Sequence, residues 1–230
     1  MITATLAAAD GAVEVSEVRH GLGIGPMPHE QEGTYTAPPA LDGTPTLTTY
    51  DKTPGLSATI TAMHGRLAPI GLLLGLQLRS TTGEMALKSL TEFGTTSTAK
   101  QLEAADSDKV PSMNFSQTGI AAKLGLGWAL SSCLHLELVG IVGADWTTWD
   151  NIAGLGSGDL VAWQGTGYGY TLGGRFGAYW TDPETGWQFG VESEYTRTRS
   201  TIATSYSDVT ITAEPVNAGM SLRAVLGHRF

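Results

Sequence analysis

At 230 residues the chain has room for one large all-β domain or two small ones. Charged residues make up only 15%, against roughly 25% in soluble domains. The formal net charge of −9 argues against a nucleic-acid partner, because phosphate binding needs clustered Lys and Arg. No apolar run reaches the roughly eighteen residues of a transmembrane helix, and the single Cys133 excludes an internal disulfide.

The N-terminal MITATLAAADGAVEV lacks the basic start and apolar core of a secretory signal. Export would therefore imply a chain already processed, or a Met1 that was added. A first strand is expected near residues 3–18, around GAVEVSEV, followed by a long loop over 19–54. Residues 1–53 fit the pattern of the remaining chain least well. LSATITAM (56–63) sets Leu56, Ala58, Ile60 and Ala62 on one face. LAPIGLLLGLQL (67–78) does so with Ala68, Ile70, Leu72, Leu74, Leu76 and Leu78.

TGIAAKLGLGWAL (118–130) alternates most cleanly: Ile120, Ala122, Leu124, Leu126, Trp128 and Leu130 oppose Gly119, Ala121, Lys123, Gly125, Gly127 and Ala129. LHLELVGIVGADW (134–146), GYGYTLGGRFGAYW (167–180) and WQFGVESEY (187–195) repeat the period of two, as does the terminal MSLRAVLGHRF. In an extended chain successive side chains point to opposite faces, so each segment has one oily and one polar side. Each is close to the 9–11 residues, roughly, that cross a bilayer at a tilt. Short breaks at 64–66, 131–133 and 181–186 alternate with long ones at about 19–54, 81–114, 147–165 and 199–208. The long ones are rich in Gly, Thr, Ser, Pro and acidic residues, as turns and loops are. The expected fold is all-β, a closed antiparallel up-and-down barrel of eight strands forming one domain over 1–230; ten strands result if the long loops hide a hairpin.

The oily face could line a soluble barrel or meet lipid. Two features favour lipid. The polar faces are crowded with Gly and Ala, which suit a narrow interior rather than a wetted surface. The large aromatics gather at strand ends: Trp128, Trp180, Trp187 and Phe230 near the short turns, and Phe115, Trp146, Tyr168, Tyr170 and Tyr195 near the long loops. Two aromatic girdles around an aliphatic band are what the two lipid–water interfaces select.

On these residues the chain, from about 54 onward, resembles the bacterial outer-membrane β-barrels of the small OmpA/OmpX-type eight-stranded class. The terminal Phe230, preceded by alternating apolar residues, looks like the signal such barrels present to the assembly machinery. The resemblance implies a Gram-negative outer-membrane location, membrane lipid and lipopolysaccharide as neighbours, and membership of a larger envelope complex as an option.

Charges on the small-residue face would lie inside the barrel. Lys123, Glu137, Arg175, Glu192 and Arg223 are expected to pair across the lumen, with Glu192 meeting Arg223, Lys123 or Arg175, because an isolated buried charge is costly. Gln77, Arg79, His135, Asp145, Gln188, Glu194 and Arg229 extend the polar lining. Arg197 and Arg199 would reach the phosphates of an outer-leaflet lipid. His135 and Glu137 share a face near Ser131 and Ser132, but no G-x-S-x-G motif or metal-ligand spacing accompanies them. No enzyme activity, cofactor or metal is expected. The expected role is structural or surface recognition through the long loops; a small or gated channel is the alternative, and a lipid-modifying enzyme comes last.

Overall fold

A computed structural model of the chain describes residues 13–25, 28–36, 44–51, 55–67, 70–92, 94–105, 112–154, 160–206 and 209–230. In chain order the elements are β1 (Val13–Gly25), β2 (Pro28–Thr36), β3 (Thr44–Asp51), β4 (Gly55–Leu67), β5 (Gly71–Glu92) and β6 (Thr95–Thr98). There follow α1 (Ala99–Ala105), β7 (Ser112–Ala129), β8 (Leu134–Gly154), β9 (Leu160–Thr181), β10 (Trp187–Tyr206) and β11 (Val209–Arg229).

Eight of the strands form a ring. The order is β1–β4–β5–β7–β8–β9–β10–β11, every neighbour antiparallel, and β11 returns to β1 from Glu17↔Arg229 to Ile24↔Leu222. The C-terminus fastens this seam: Arg229 N–H donates to Gly186 O and Phe230 N–H to Ser16 O, each at 2.8 Å. A closed ring leaves no unpaired strand edge, the condition for placing a sheet in hydrocarbon.

The face assignment is decided by exposure. Leu124, Leu172 and Leu222 are 54–59% exposed, whereas Lys123, Arg175 and Arg223, at the opposite parity of the same strands, are 1–2% exposed. The barrel is apolar outside and charged inside. With its short turns at one end, this is the architecture of a small outer-membrane β-barrel.

The strands are longer than the sequence pattern suggests. β5 has 22 residues, about 70 Å at ~3.3 Å per residue, more than twice a ~30 Å hydrocarbon core. Most of what reads as loop at 81–114, 147–165 and 199–208 is strand that continues the wall beyond the membrane. The 19–54 region likewise holds the rest of β1 and the β2–β3 hairpin. β2 takes up pairing with β11 where β1 leaves it, and β3 pairs with β5 beyond β4. The hairpin thus lengthens the first two staves, and the ring remains at eight rather than ten. The first described strand is Val13–Gly25, and positions 64–66 belong to β4 rather than to a turn; the expected strand start over residues 3–12, and Ala68, lie outside the described residues.

Above the membrane the pattern inverts. Tyr50, Leu87, Leu90, Phe115, Trp149, Ile202 and Ala213 are buried inside, while Glu84, Lys88, Asn114, Gln164 and Thr201 are exposed outside. Water on the outside restores the ordinary arrangement, apolar in and polar out. Phe115 is therefore a correction: it was expected in the lipid-facing girdle, but it shares the inward parity of Gln117 and Lys123 and lies only 4% exposed within the lumen.

Candidate functional site

The inward positions of seven strands converge on one polar network, and Glu137 on β8 is its hub. Glu137 accepts hydrogen bonds from Arg19 Nη1 at 2.8 Å and Arg175 Nη2 at 2.7 Å, both on Oε2, while Arg19 Nη2 donates to its other oxygen. Arg19 also donates from Nε to Gln188 Oε1 at 2.7 Å and pairs with Glu17. Its guanidinium lies 3.8 Å from the centroid of the Tyr179 ring, a cation–π contact of the kind strengthened by exclusion of water. Tyr179 OH donates to Glu192 Oε1 at 2.6 Å, and Arg175 Nη1 reaches the same oxygen at 2.7 Å.

Tyr179 can lie across the lumen because its neighbours have no side chains. A Cβ on Gly177 would stand 2.3 Å from the Tyr179 hydroxyl, and one on Gly190 2.4 Å from the ring. The glycines that fill the polar faces are the space into which the larger interior groups fold.

Higher in the lumen, Arg223 donates to Glu194 Oε1 at 2.9 Å and to Ser57 Oγ at 3.0 Å. Lys123 Nζ stands 3.7 Å from the other oxygen of Glu194. Arg79 forks onto Asp145, with one bond of 2.8 Å, and Thr171 and Thr198 complete that layer. At the turn end an apolar cluster of Val15, Met63, Leu67, Leu73 and Val139 backs the network. Arg19, Arg79, Lys123, Arg175 and Arg223 face Glu17, Glu137, Asp145, Glu192 and Glu194, all of them buried. These ten balance in charge, and Arg229, 3.6 Å from Glu17, adds a partly exposed cation at the turn end. Among the described residues some polar atoms between the layers make no hydrogen bond, notably the Gln77 amide, Ser221 Oγ and Lys123 Nζ, whose contact with Glu194 is an ion pair at 3.7 Å.

Among the described residues, Glu17, His135 and Glu137 are placed to hold a metal ion. Arg19 Nη2 bonds both carboxylates and lies 3.5 Å from His135 Nε2, so a guanidinium nitrogen already occupies the position between them.

Lys123, Glu137, Arg175, Glu192 and Arg223 are thus brought together, with Glu192 bonded to Arg175 and 3.9 Å from Arg223. Lys123 meets Glu194 instead. Trp146, Tyr168, Tyr170, Trp180, Trp187, Tyr195 and Phe230 are exposed on the outside, with Trp146 edge-on to Tyr168 at 4.4 Å; Trp128 is half-buried there. Arg197 and Arg199 are exposed on the outer wall, and Arg199 is paired with Glu214. The sequence reading missed Glu17, Arg19 and Tyr179. Glu17 and Arg19 continue the odd parity of Val15, but a loop was expected from 19. Tyr179 continues the odd parity of Arg175 and Gly177, which places it inside.

No family model matches the chain, and no curated protein matches it in sequence. Among solved structures, it is similar to Ail, the attachment invasion locus protein of Yersinia pestis, in complex with the heparin analogue sucrose octasulfate. That similarity has 12% identity over 94% of this chain and 99% of the other, with a TM-score of 0.34. For the outer membrane protein AlkL in DMPC bilayers the values are 11%, 100%, 97% and 0.44. For the outer membrane protease OmpT of Escherichia coli they are 8%, 93%, 97% and 0.40. With TM-scores this low, the assignment as a transmembrane barrel rests on the closed ring and its exposed apolar belt.

Proposed function

We propose that this barrel is a closed, non-enzymatic outer-membrane protein whose rigid wall carries its protruding hairpins as a structural or recognition surface. The observation that carries the reading is the ion-paired interior, in which five buried cations are set against five buried carboxylates. An eight-stranded barrel is only about wide enough for its own side chains. In this reading the short turns face the periplasm, the terminal strand is what the assembly machinery engages, and the tall hairpins stand outside the cell. In the same reading Arg197 and Arg199 meet the phosphates of an anionic outer-leaflet lipid such as lipopolysaccharide, which is supported by Arg199 lying opposite Tyr170 on the outer wall, where it pairs with Glu214.

A gated channel for small solutes is the second reading. The Gln77 and Ser221 atoms that make no hydrogen bond favour it, because such groups hold water. Planar-bilayer recording separates the two. The wild type, Glu192→Gln and Arg223→Gln are expected to carry no current. Steady conductance that either variant changes would overturn the closed reading in favour of the channel.

A further inference from the structure

The outer wall is not the same all round. Its exposed aromatic side chains stand on β8, β9, β10 and at the C-terminus, whereas among the described residues the neighbouring strands β1, β4 and β5 show none outside. Those three staves present aliphatic side chains to the belt instead, and along β4 Ala58 and Ala62 alternate with Leu56 and Ile60. Trp and Tyr anchor a barrel at its two lipid–water interfaces. This sector lacks those anchors.

The same sector carries a polar side chain inside the belt. His20 is exposed on the outside of β1, where its register neighbours are Ile60 on β4 and Leu226 on β11. Val18 and Leu22 flank it along the strand, and none of the four has a polar side-chain atom. Ser16 marks the turn end, its Oγ 2.9 Å from His64 Nδ1 and its carbonyl accepting from Phe230 N–H. His20 stands four residues higher, about 10 Å at the tilt of a small barrel. His228, one outward step below Leu226, packs against Trp187 and Phe230, with ring centroids 5.5 and 4.8 Å away. Hydrocarbon offers an imidazole no hydrogen bond, so a His facing it is costly unless a partner supplies one.

We propose that the β1–β4–β5 face is where two copies of this chain meet within the membrane, His20 of one bonded to His20 of the other. A neutral imidazole has one N–H donor and one bare acceptor nitrogen, so two of them satisfy each other with no further group. A two-fold axis along the bilayer normal, passing between β1 and β4, keeps equal heights together and sets β1 of one copy against β4 of the other. The two His20 positions are then offset sideways by about one strand spacing, ~4.8 Å. Glu14 and Arg66 are register partners near the turn end, both exposed. The same axis brings Glu14 of each copy to Arg66 of the other, a match of opposite charges. Between that level and Ile24 or Leu56 no outward side chain of β1 or β4 carries a fixed charge. Ala58 and Ala62 let the two walls approach, as small residues do where membrane segments pack.

The test uses the full chain in a Cys133→Ser background, reconstituted in lipid vesicles and treated with a short bismaleimide. A covalent dimer is expected from Leu22→Cys, beside His20, and none from Leu172→Cys on β9, across the barrel. Dissociation is then followed by energy transfer between labelled copies as lipid is added. His20→Leu is expected to raise the dissociation constant about tenfold. His20→Asn, whose amide also both donates and accepts, should stay within about threefold of wild type. No covalent dimer from Leu22→Cys, or as much from Leu172→Cys, would overturn the proposal. So would His20→Asn dissociating as readily as His20→Leu. The cross-link is read on a chain that keeps His20, so it decides the matter even if a His20 variant fails to fold.

Discussion

Replacing Glu137 with Leu is expected to cost about 3–5 kcal/mol of folding stability in lipid, the range for removing one partner of a buried ion pair. Glu137 carries two guanidinium groups at once, Arg19 on one side and Arg175 on the other. Without it both cations stay in the interior, and only Glu17 and Glu192 remain to share them. Glu137→Gln keeps an acceptor and should cost less. Glu214→Gln provides the contrast, because its pair with Arg199 is 40–50% exposed at the side chains and exposed pairs contribute roughly 0–1 kcal/mol. Urea unfolding of the three variants in lipid vesicles measures the difference. Equal losses for Glu137→Leu and Glu214→Gln would contradict a load shared through the lumen.

The second large effect is expected on the outside. Leu124 sits at the middle of the outward apolar run Ile120–Trp128 of β7, beside Leu74 and Gly140, and it is 56% exposed. On a water-washed surface Leu124→Arg would be close to neutral. In hydrocarbon an Arg at the bilayer midplane of a barrel costs about 2–4 kcal/mol, falling to about 0–1 near the interfaces. Leu124→Arg should therefore be strongly destabilising and Asn114→Arg, higher on the same face of β7, nearly silent. The same unfolding experiment checks both, and similar costs for the two would count against a lipid-facing belt.

The membrane-embedded half of the fold was legible because the sequence there obeys one rule for long stretches. Within each of 118–130, 134–146, 167–180 and 187–195, most large apolar residues keep one parity and Gly, Ala and charges the other, with Val139, Ile141 and Tyr179 as exceptions. The upper half was not legible because the rule reverses when the wall leaves the bilayer. Phe115, Trp149 and Ile202 are inward at the same parity that holds Lys123, Glu137 and Glu192 lower on β7, β8 and β10. Stretches such as TTGEMALKSLTE and TTWDNIAG, rich in Thr and acidic residues, read as loop when lipid is the assumed surroundings, yet Thr pairs well in strands. The register break between β3 and β5 further blurs the alternation around Leu87 and Leu90.

The interior charges were legible as a set but not as a wiring diagram. Parity places Lys123, Glu137, Arg175, Glu192 and Arg223 inside, whereas strand stagger decides who meets whom. Lys123 reaches Glu194 rather than Glu192, and Glu137 is shared with Arg19 from the far side of the β1–β11 seam. Nothing local in HLEL announces that partner. It follows only from closing the ring.

The most direct measurement is spin-label accessibility at Leu124, Leu172 and Leu222, each changed to Cys in turn in a Cys133→Ser background and reconstituted in lipid. Labels at all three sites should be relaxed by oxygen, which dissolves in hydrocarbon, and shielded from a water-soluble nickel chelate. Ready relaxation by the chelate at these positions would mean that the leucine belt faces water or an aqueous lumen, and the inside-out assignment would be wrong.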